Sequence, residues 1–173
     1  MKKLLVVVDY QNDFVDGTLG FAGAELLDGV IADKIKTYRA ENNSVVFTKD
    51  THYDDYLDTQ EGRNLPVAHC IENSHGWEIY GKTGEMVQSG DKIFLKNTFG
   101  SDELYEYIKK SDFESIELVG LVSNICVISN AVLAKTARPE AVIIVDSNAT
   151  KSFDNSLNDK TIDVLKGLQV KVV

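Results

Sequence analysis

Asp9, Lys96, Cys126 and the Asp50-Thr-His52 pair lie far apart in the chain, but their types suit covalent chemistry on a small polar substrate. A cysteine in the first turns of a helix has unpaired backbone N–H groups and the positive dipole end beside it. Both lower a thiol pKa. A lysine such as Lys96 adds positive charge, and a carboxylate such as Asp9 can take the thiol proton and later return it. A thiolate nucleophile beside a general acid/base is what amide cleavage through a thioester requires. A free cysteine considered alone is more often an inert core residue. The company of an acid, a lysine and an Asp-x-His pair makes Cys126 the candidate nucleophile.

For these residues to meet, strands must deliver them to one rim. Leu4 to Val8 is a continuous apolar run, as expected of a strand buried on both faces. Leu27, Ile31, Ile35 and Tyr38 recur at helical spacing, and Asn42-Asn43 ends that helix. Ser44 to Thr48 reads as a second strand and Lys92 to Leu95 as a third. Ser101 is placed as an N-cap, with Asp102 and Glu103 in the first turn and Lys109 and Lys110 in the last. Ser115 to Val119 is a fourth strand, followed by a helix from about Ser123 to Lys135, and Ala141 to Val145 is a fifth. Ser156 is expected to cap a last helix that Gly167 ends, before a sixth strand over Leu168 to Val173. Strands alternating with helices predict a three-layer α/β/α doubly wound sheet of about six mainly parallel strands, in a single domain over residues 1–173. Ligands bind such sheets beyond the carboxyl ends of the strands, where the winding reverses. Strand one delivers Asp9, then Gln11, Asp13 and Phe14; strand two delivers Asp50 and His52; strand three delivers Lys96; strand four leads to Cys126.

Composition bounds the partners. Hydrophobic residues are 43% of 173, enough for a core and incompatible with a disordered chain. The net charge of −9 repels phosphate backbones, so neither nucleic acid nor an anionic membrane is expected as a partner. Asp9 interrupts the apolar N-terminal run, which is too short for a signal peptide. Two cysteines make no disulfide framework, and a cytoplasmic location is expected. Asn148-Ala-Thr150 matches a glycosylation sequon in a chain with no secretory feature. Gly17, Gly20 and Gly23 lack the dinucleotide-binding spacing.

Three segments carry a resemblance. Asp9-Tyr-Gln-Asn-Asp13-Phe14, Lys96-Asn-Thr-Phe-Gly-Ser101 and Gly120-Leu-Val-Ser-Asn-Ile-Cys126-Val127 resemble the signatures of the isochorismatase-like cysteine hydrolases, in order along the whole chain. Isochorismatases proper lack the cysteine, so Cys126 points to the amide-cleaving branch. The resemblance implies Asp9, Lys96 and Cys126 as the triad. It also implies a non-proline cis peptide at Leu121–Val122, with the backbone N–H groups of Val122 and Cys126 as the oxyanion hole.

Asp50-Thr-His52 followed by Leu65-Pro-Val-Ala-His69-Cys resembles the metal site of nicotinamidases. It implies a divalent ion, zinc first and manganese or iron next, on Asp50, His52 and His69. Glu61 is the candidate fourth ligand, with Asp54, Asp55 and Asp58 as rivals. In that branch the metal binds the pyridine nitrogen and ordered waters. Phe14 and Leu121 are placed at the substrate pocket.

The departures are Leu65 where Trp is usual, Asn124 where Asp is usual, and Asn73-Ser74-His75 in place of a Gly-Thr segment. Cys70 is expected to be inert and His75 solvated; nothing in the pattern assigns Trp77. The expectation is a nicotinamidase, the alternatives being a cysteine amidase for a ureido, carbamoyl or other small amide and a non-catalytic ligand-binding module. The resemblance further implies a homo-oligomer.

Overall fold

A computed structural model of the chain describes residues 2–173. Its strands are β1 (Lys3–Val8), β2 (Ser44–Asp50), β3 (Lys92–Lys96), β4 (Ser115–Leu121), β5 (Val142–Lys151) and β6 (Lys171–Val172). Among the described residues they form one sheet in the order β3-β2-β1-β4-β5-β6, every neighbouring pair parallel. The helices are α1 (Asn12–Val15), α2 (Leu27–Ala40), α3 (Gln60–Asn64), α4 (Gly81–Glu85), α5 (Asp102–Lys109), α6 (Ile128–Ala137) and α7 (Asn155–Gly167).

Successive side chains of a strand point to opposite faces, so β1 feeds two cores. Leu4, Val6 and Val8 pack with Leu104 and Ile108 of α5, Ala131 and Ala134 of α6 and Leu165 of α7. Leu5 and Val7 pack with Leu27, Ile31, Ile35 and Tyr38 of α2. The expected three layers are therefore present. Glu117 of central β4 is a polar group on the face of the second core. It is buried but bonded, accepting from the Tyr38 hydroxyl at 2.6 Å and from Lys34 Nζ at 2.8 Å. A buried carboxylate is tolerated only with such partners.

Several expected boundaries move. Ser101 does cap α5, its hydroxyl accepting the Leu104 N–H at 3.1 Å. The cap of α7, however, is Asp154, which accepts the Leu157 N–H at 3.0 Å, and not Ser156. The fifth strand runs on to Lys151, because a register shift between Leu118 and Gly120 lets it keep pairing with β4 beyond Val145. The sixth strand shrinks to two residues. Leu168 N–H still bonds back to Val164 O, and Gln169 adopts φ +62°, so strand geometry begins only afterwards. The helix expected from Ser123 opens as a π-turn (Ser123–Val127), and α6 proper starts at Ile128. The stretch from Lys49 to His75 holds a 3₁₀ turn (Tyr56–Asp58) and α3, both too short to show periodicity. Among the described residues no helix is long and apolar enough to cross a membrane.

From β1 the chain winds one way to β2 and β3, then crosses back to β4 and winds the other way to β5 and β6. The reversal lies between β1 and β4, and their carboxyl ends open the crevice where a ligand fits.

Candidate active site

Three strand exits converge at this crevice. Asp9 follows β1, Lys96 ends β3 and Cys126 lies in the π-turn after β4. Lys96 Nζ is 2.6 Å from Asp9 Oδ2 and 3.7 Å from Cys126 Sγ. Asp9 Oδ1 accepts the Thr48 hydroxyl at 2.6 Å, and Lys96 also donates to Thr98 O at 2.9 Å. All three residues are buried, Asp9 completely.

Burial pushes the Asp9 carboxyl above the usual range; the Lys96 ammonium opposes this and Asp50 adds to it. Burial alone would lower Lys96, but Asp9, Cys126 and Asp50 together raise it, so it stays an ammonium. The Cys126 thiol is pushed well above its ordinary value by burial, against Lys96 and with Asp9 and Asp50. The expectation of a thiol acidified by its helix end is thereby corrected. Desolvation of the buried sulfur outweighs dipole and lysine in setting the direction of the shift. Its proton needs an acceptor, and Asp9 is in place.

The turn carrying Cys126 is built tightly. The N–H groups of Ile125 and Val127 both donate to Val122 O at 3.2 Å, and the Leu121–Val122 peptide is cis, as the resemblance implied. Asn130 Nδ2 donates to Cys126 O at 2.9 Å while its Oδ1 accepts the Ser101 N–H at 3.0 Å. Gly120 has φ +109°, and a Cβ there would come within 2.0 Å of Val8 O, so only glycine lets β4 pass β1 into this turn.

The Asp-x-His pair and His69 also meet. Asp50 Oδ2 lies 3.1 Å from His52 Nε2 and 3.4 Å from His69 Nε2, all three side chains buried. Glu61 Oε1 is 3.9 Å from both imidazole nitrogens, whereas Asp54, Asp55 and Asp58 are exposed. The edge of a tetrahedron around zinc with ~2.1 Å bonds is about 3.4 Å, so the Asp-His-His spacing fits a divalent ion. His69 Nδ1 is 2.8 Å from Val67 O; donating its hydrogen there leaves Nε2 free to ligate. Burial would raise the Asp50 carboxyl, but hydrogen bonds from His52 and His69 and the charge of Lys96 hold it well below the usual range. Glu61 is raised by burial and by Asp50, as expected of an acid placed in a site already negative.

The structure brings together Asp9, Lys96, Cys126, Asp50, His52, His69 and Glu61. Phe14 faces the same place, its ring 5.6 Å from that of His69. Leu121 does not join them: its side chain points to the α2 face and is fully buried in that core. His75 is exposed, as expected, and the Cys70 thiol is buried and pushed up by that burial. Trp77 is half-buried; its Nε1 donates to Thr51 Oγ1 at 2.9 Å and the Lys49 ammonium lies over its ring. Sequence reasoning missed Thr48, Asn130 and Tyr56. Tyr56 packs edge-on against His52 and His69, with centroids 4.7 and 5.0 Å away. The four-residue spacing from Cys126 to Asn130 is the one signal of these that could have been read.

A family model described as the isochorismatase domain matches residues 3–173. The chain belongs to the isochorismatase family. Its similarity to individual members is low but spans their length. It is 25% identical over 214 aligned residues to a nicotinamidase of Saccharomyces cerevisiae, covering 99% of each chain. Its fold is similar to that of the nicotinamidase/pyrazinamidase of Bacillus subtilis, at a TM-score of 0.89 and 24% identity over all of both chains. It is also similar to that of a pyrazinamidase of Pyrococcus horikoshii in complex with zinc, at a TM-score of 0.87 and 20% identity, covering 100% of this chain and 99% of that one. Within the isochorismatase family, these relatives carry names for amide hydrolysis.

Proposed function

We propose that the protein is a metal-dependent cysteine amidohydrolase whose substrate is nicotinamide, converted with water to nicotinate and ammonia. The observation carrying this reading is that the Asp9–Lys96–Cys126 cluster abuts the Asp-His-His donor set, Lys96 Nζ lying 3.6 Å from Asp50 Oδ1. A nucleophile and a ring anchor would then act on two ends of one small planar amide. Relatives named nicotinamidase support the substrate class.

Asp9 takes the thiol proton of Cys126 as its sulfur attacks the carboxamide carbon. The oxyanion lies against the backbone N–H groups of Val122 and Cys126. Asp9 returns the proton to the nitrogen as ammonia leaves, giving a thioester on Cys126. Asp9 then takes a proton from water, which attacks the thioester and releases the acid and the free thiol. Lys96 stays charged throughout and steadies whichever of Asp9 and Cys126 is negative. Asp50, His52 and His69, with Glu61 as fourth ligand, would hold a divalent ion, zinc by preference, which would supply a Lewis-acid anchor for the ring nitrogen. Phe14 packs on the ring. The protein acts in the cytoplasm on a small amide, as a homo-oligomer of single-domain subunits.

The test is ammonia release from nicotinamide by metal-replete protein, chelated protein and Cys126→Ala. The expected result is turnover that Cys126→Ala abolishes and chelation suppresses. Turnover by Cys126→Ala removes the cysteine mechanism. Leu65 is exposed where nicotinamidases usually carry Trp. That favours, as a second reading, a ureido or carbamoyl amide, which would be turned over while nicotinamide is not.

A further inference from the structure

The donor set is anchored by the residues that follow Asp9 at alternate positions. Gln11 is completely buried, and its amide is saturated by main chain. Its Oε1 accepts the Asp50 N–H at 2.8 Å; its Nε2 donates to Asp50 O at 2.9 Å and to Trp77 O at 2.9 Å. The reason lies in the sheet. Strand β1 stops at Val8, opposite Thr48, so the inner edge of Asp50 two residues later has no strand to pair with. The Gln11 side chain takes that strand's place and fixes the main chain from which the Asp50 carboxylate projects.

Asp13 does the same for the other segment. Its Oδ2 accepts the Cys70 N–H at 2.7 Å and its own N–H donates to Gly76 O at 3.0 Å. The fit is close: a Cβ at Gly76 would come within 2.1 Å of Asp13 Oδ2. Cys70 adopts φ +47°, uncommon for a residue with a side chain, so its geometry depends on being held. Cys70 follows His69 directly, and Cys70 O accepts the His52 N–H at 2.9 Å. The carboxylate of Asp13 therefore reaches one histidine through its neighbour, and the second through that neighbour's carbonyl.

We propose that Gln11 and Asp13 are positioning residues that set the metal affinity of the Asp50–His52–His69 site by holding the main chain of Asp50 and Cys70. This rests on the metal reading above. Neither side chain would touch the ion or the substrate. Each keeps donor atoms at the spacing a small cation needs, so that binding does not have to order them. Outer-shell partners of metal ligands typically cost ~10–100-fold in affinity when removed.

Zinc dissociation constants, measured by competition with a chromophoric chelator, test this on wild type, Gln11→Met, Gln11→Glu, Asp13→Ala and Asp13→Asn. Thr83→Val serves as a control, since Thr83 is equally buried but bonds Asp28, outside the site. Gln11→Met and Asp13→Ala are expected to weaken zinc at least tenfold, with Gln11→Glu and Asp13→Asn, which keep one acceptor, weakened less. The visible bands of the cobalt-substituted variants should change in shape, because the ligands are displaced and not lost. Should Gln11→Met or Asp13→Ala fail to fold, the two conservative variants carry the comparison. Wild-type affinity in the folded variants overturns the proposal, as does equal weakening by Thr83→Val. Failure of the wild type to bind zinc sinks the underlying metal reading instead.

Discussion

At the scale of single residues, the mechanism proposed above turns on where one proton sits. Asp9 and Cys126 both hold protons more tightly than free side chains do, each chiefly because it is buried. The competent pair carries one proton between them. Acidification through the raised Asp9 pKa adds a second, and alkalinisation through the raised thiol pKa removes the last. The kcat/KM profile should therefore have an acid limb above the ~4 of an ordinary carboxylate and a basic limb above ~9, flat between them. Lys96 opposes the rise of Asp9, so Lys96→Met should move the acid limb further up as well as lower kcat by about 100-fold or more. A Lys96→Met acid limb that stays in place would refute the ammonium's part in setting Asp9. Asp9, Lys96 and Cys126 were legible from type and spacing. The direction of the thiol's shift was not, because a sequence gives a helix terminus but not the desolvation that outweighs it.

At the scale of elements, strand ends do the positioning and glycine makes their approach possible. Gly120 sits where β4 shifts register against β5 and slides past the Val8 carbonyl. Gly120→Ala adds a Cβ at positive φ against main chain that cannot yield. A loss of about 3 kcal/mol or more is expected in denaturant unfolding, with activity falling because Gly120 leads into the turn that carries Val122 and Cys126. Unchanged stability would mean that the strands separate more easily than their burial suggests. The continuous apolar run of β1 and the periodic apolar positions of α2 were readable because each pattern is local. The length of β5 was not, since it depends on a register shift with a strand twenty residues upstream. Nor were the short turns around Tyr56, which are held by packing against the two imidazoles.

At the scale of the molecule, a bound ion would tie together segments that are otherwise joined only through side chains. Asp50 ends β2, while His52 and His69 lie in the irregular stretch beyond it. Binding to the folded state alone stabilises by about 4 kcal/mol at a thousandfold excess over Kd, so zinc should raise the melting temperature by roughly 10 °C and a chelator should reverse it. The same heating curves on a His69→Ala variant should show little response to zinc. A full response there would place the ion elsewhere.

The amino-acid sequence by itself determined the alternation of strands and helices, the layer architecture and the residue types available for catalysis. Those are carried by local periodicity and by side-chain chemistry, which need no partner to be read. Family membership was visible for the same reason, in three short segments that keep their order. Tertiary structure alone decided which residues touch. It brought Lys96 to within 2.6 Å of Asp9, gathered Glu61 toward the imidazoles in preference to three exposed aspartates, and sent Leu121 into the core. It also revealed Gln11 standing in for a missing strand. Contacts between distant segments depend on where strands end and how far chains are buried, and both are set by the whole sheet closing at once.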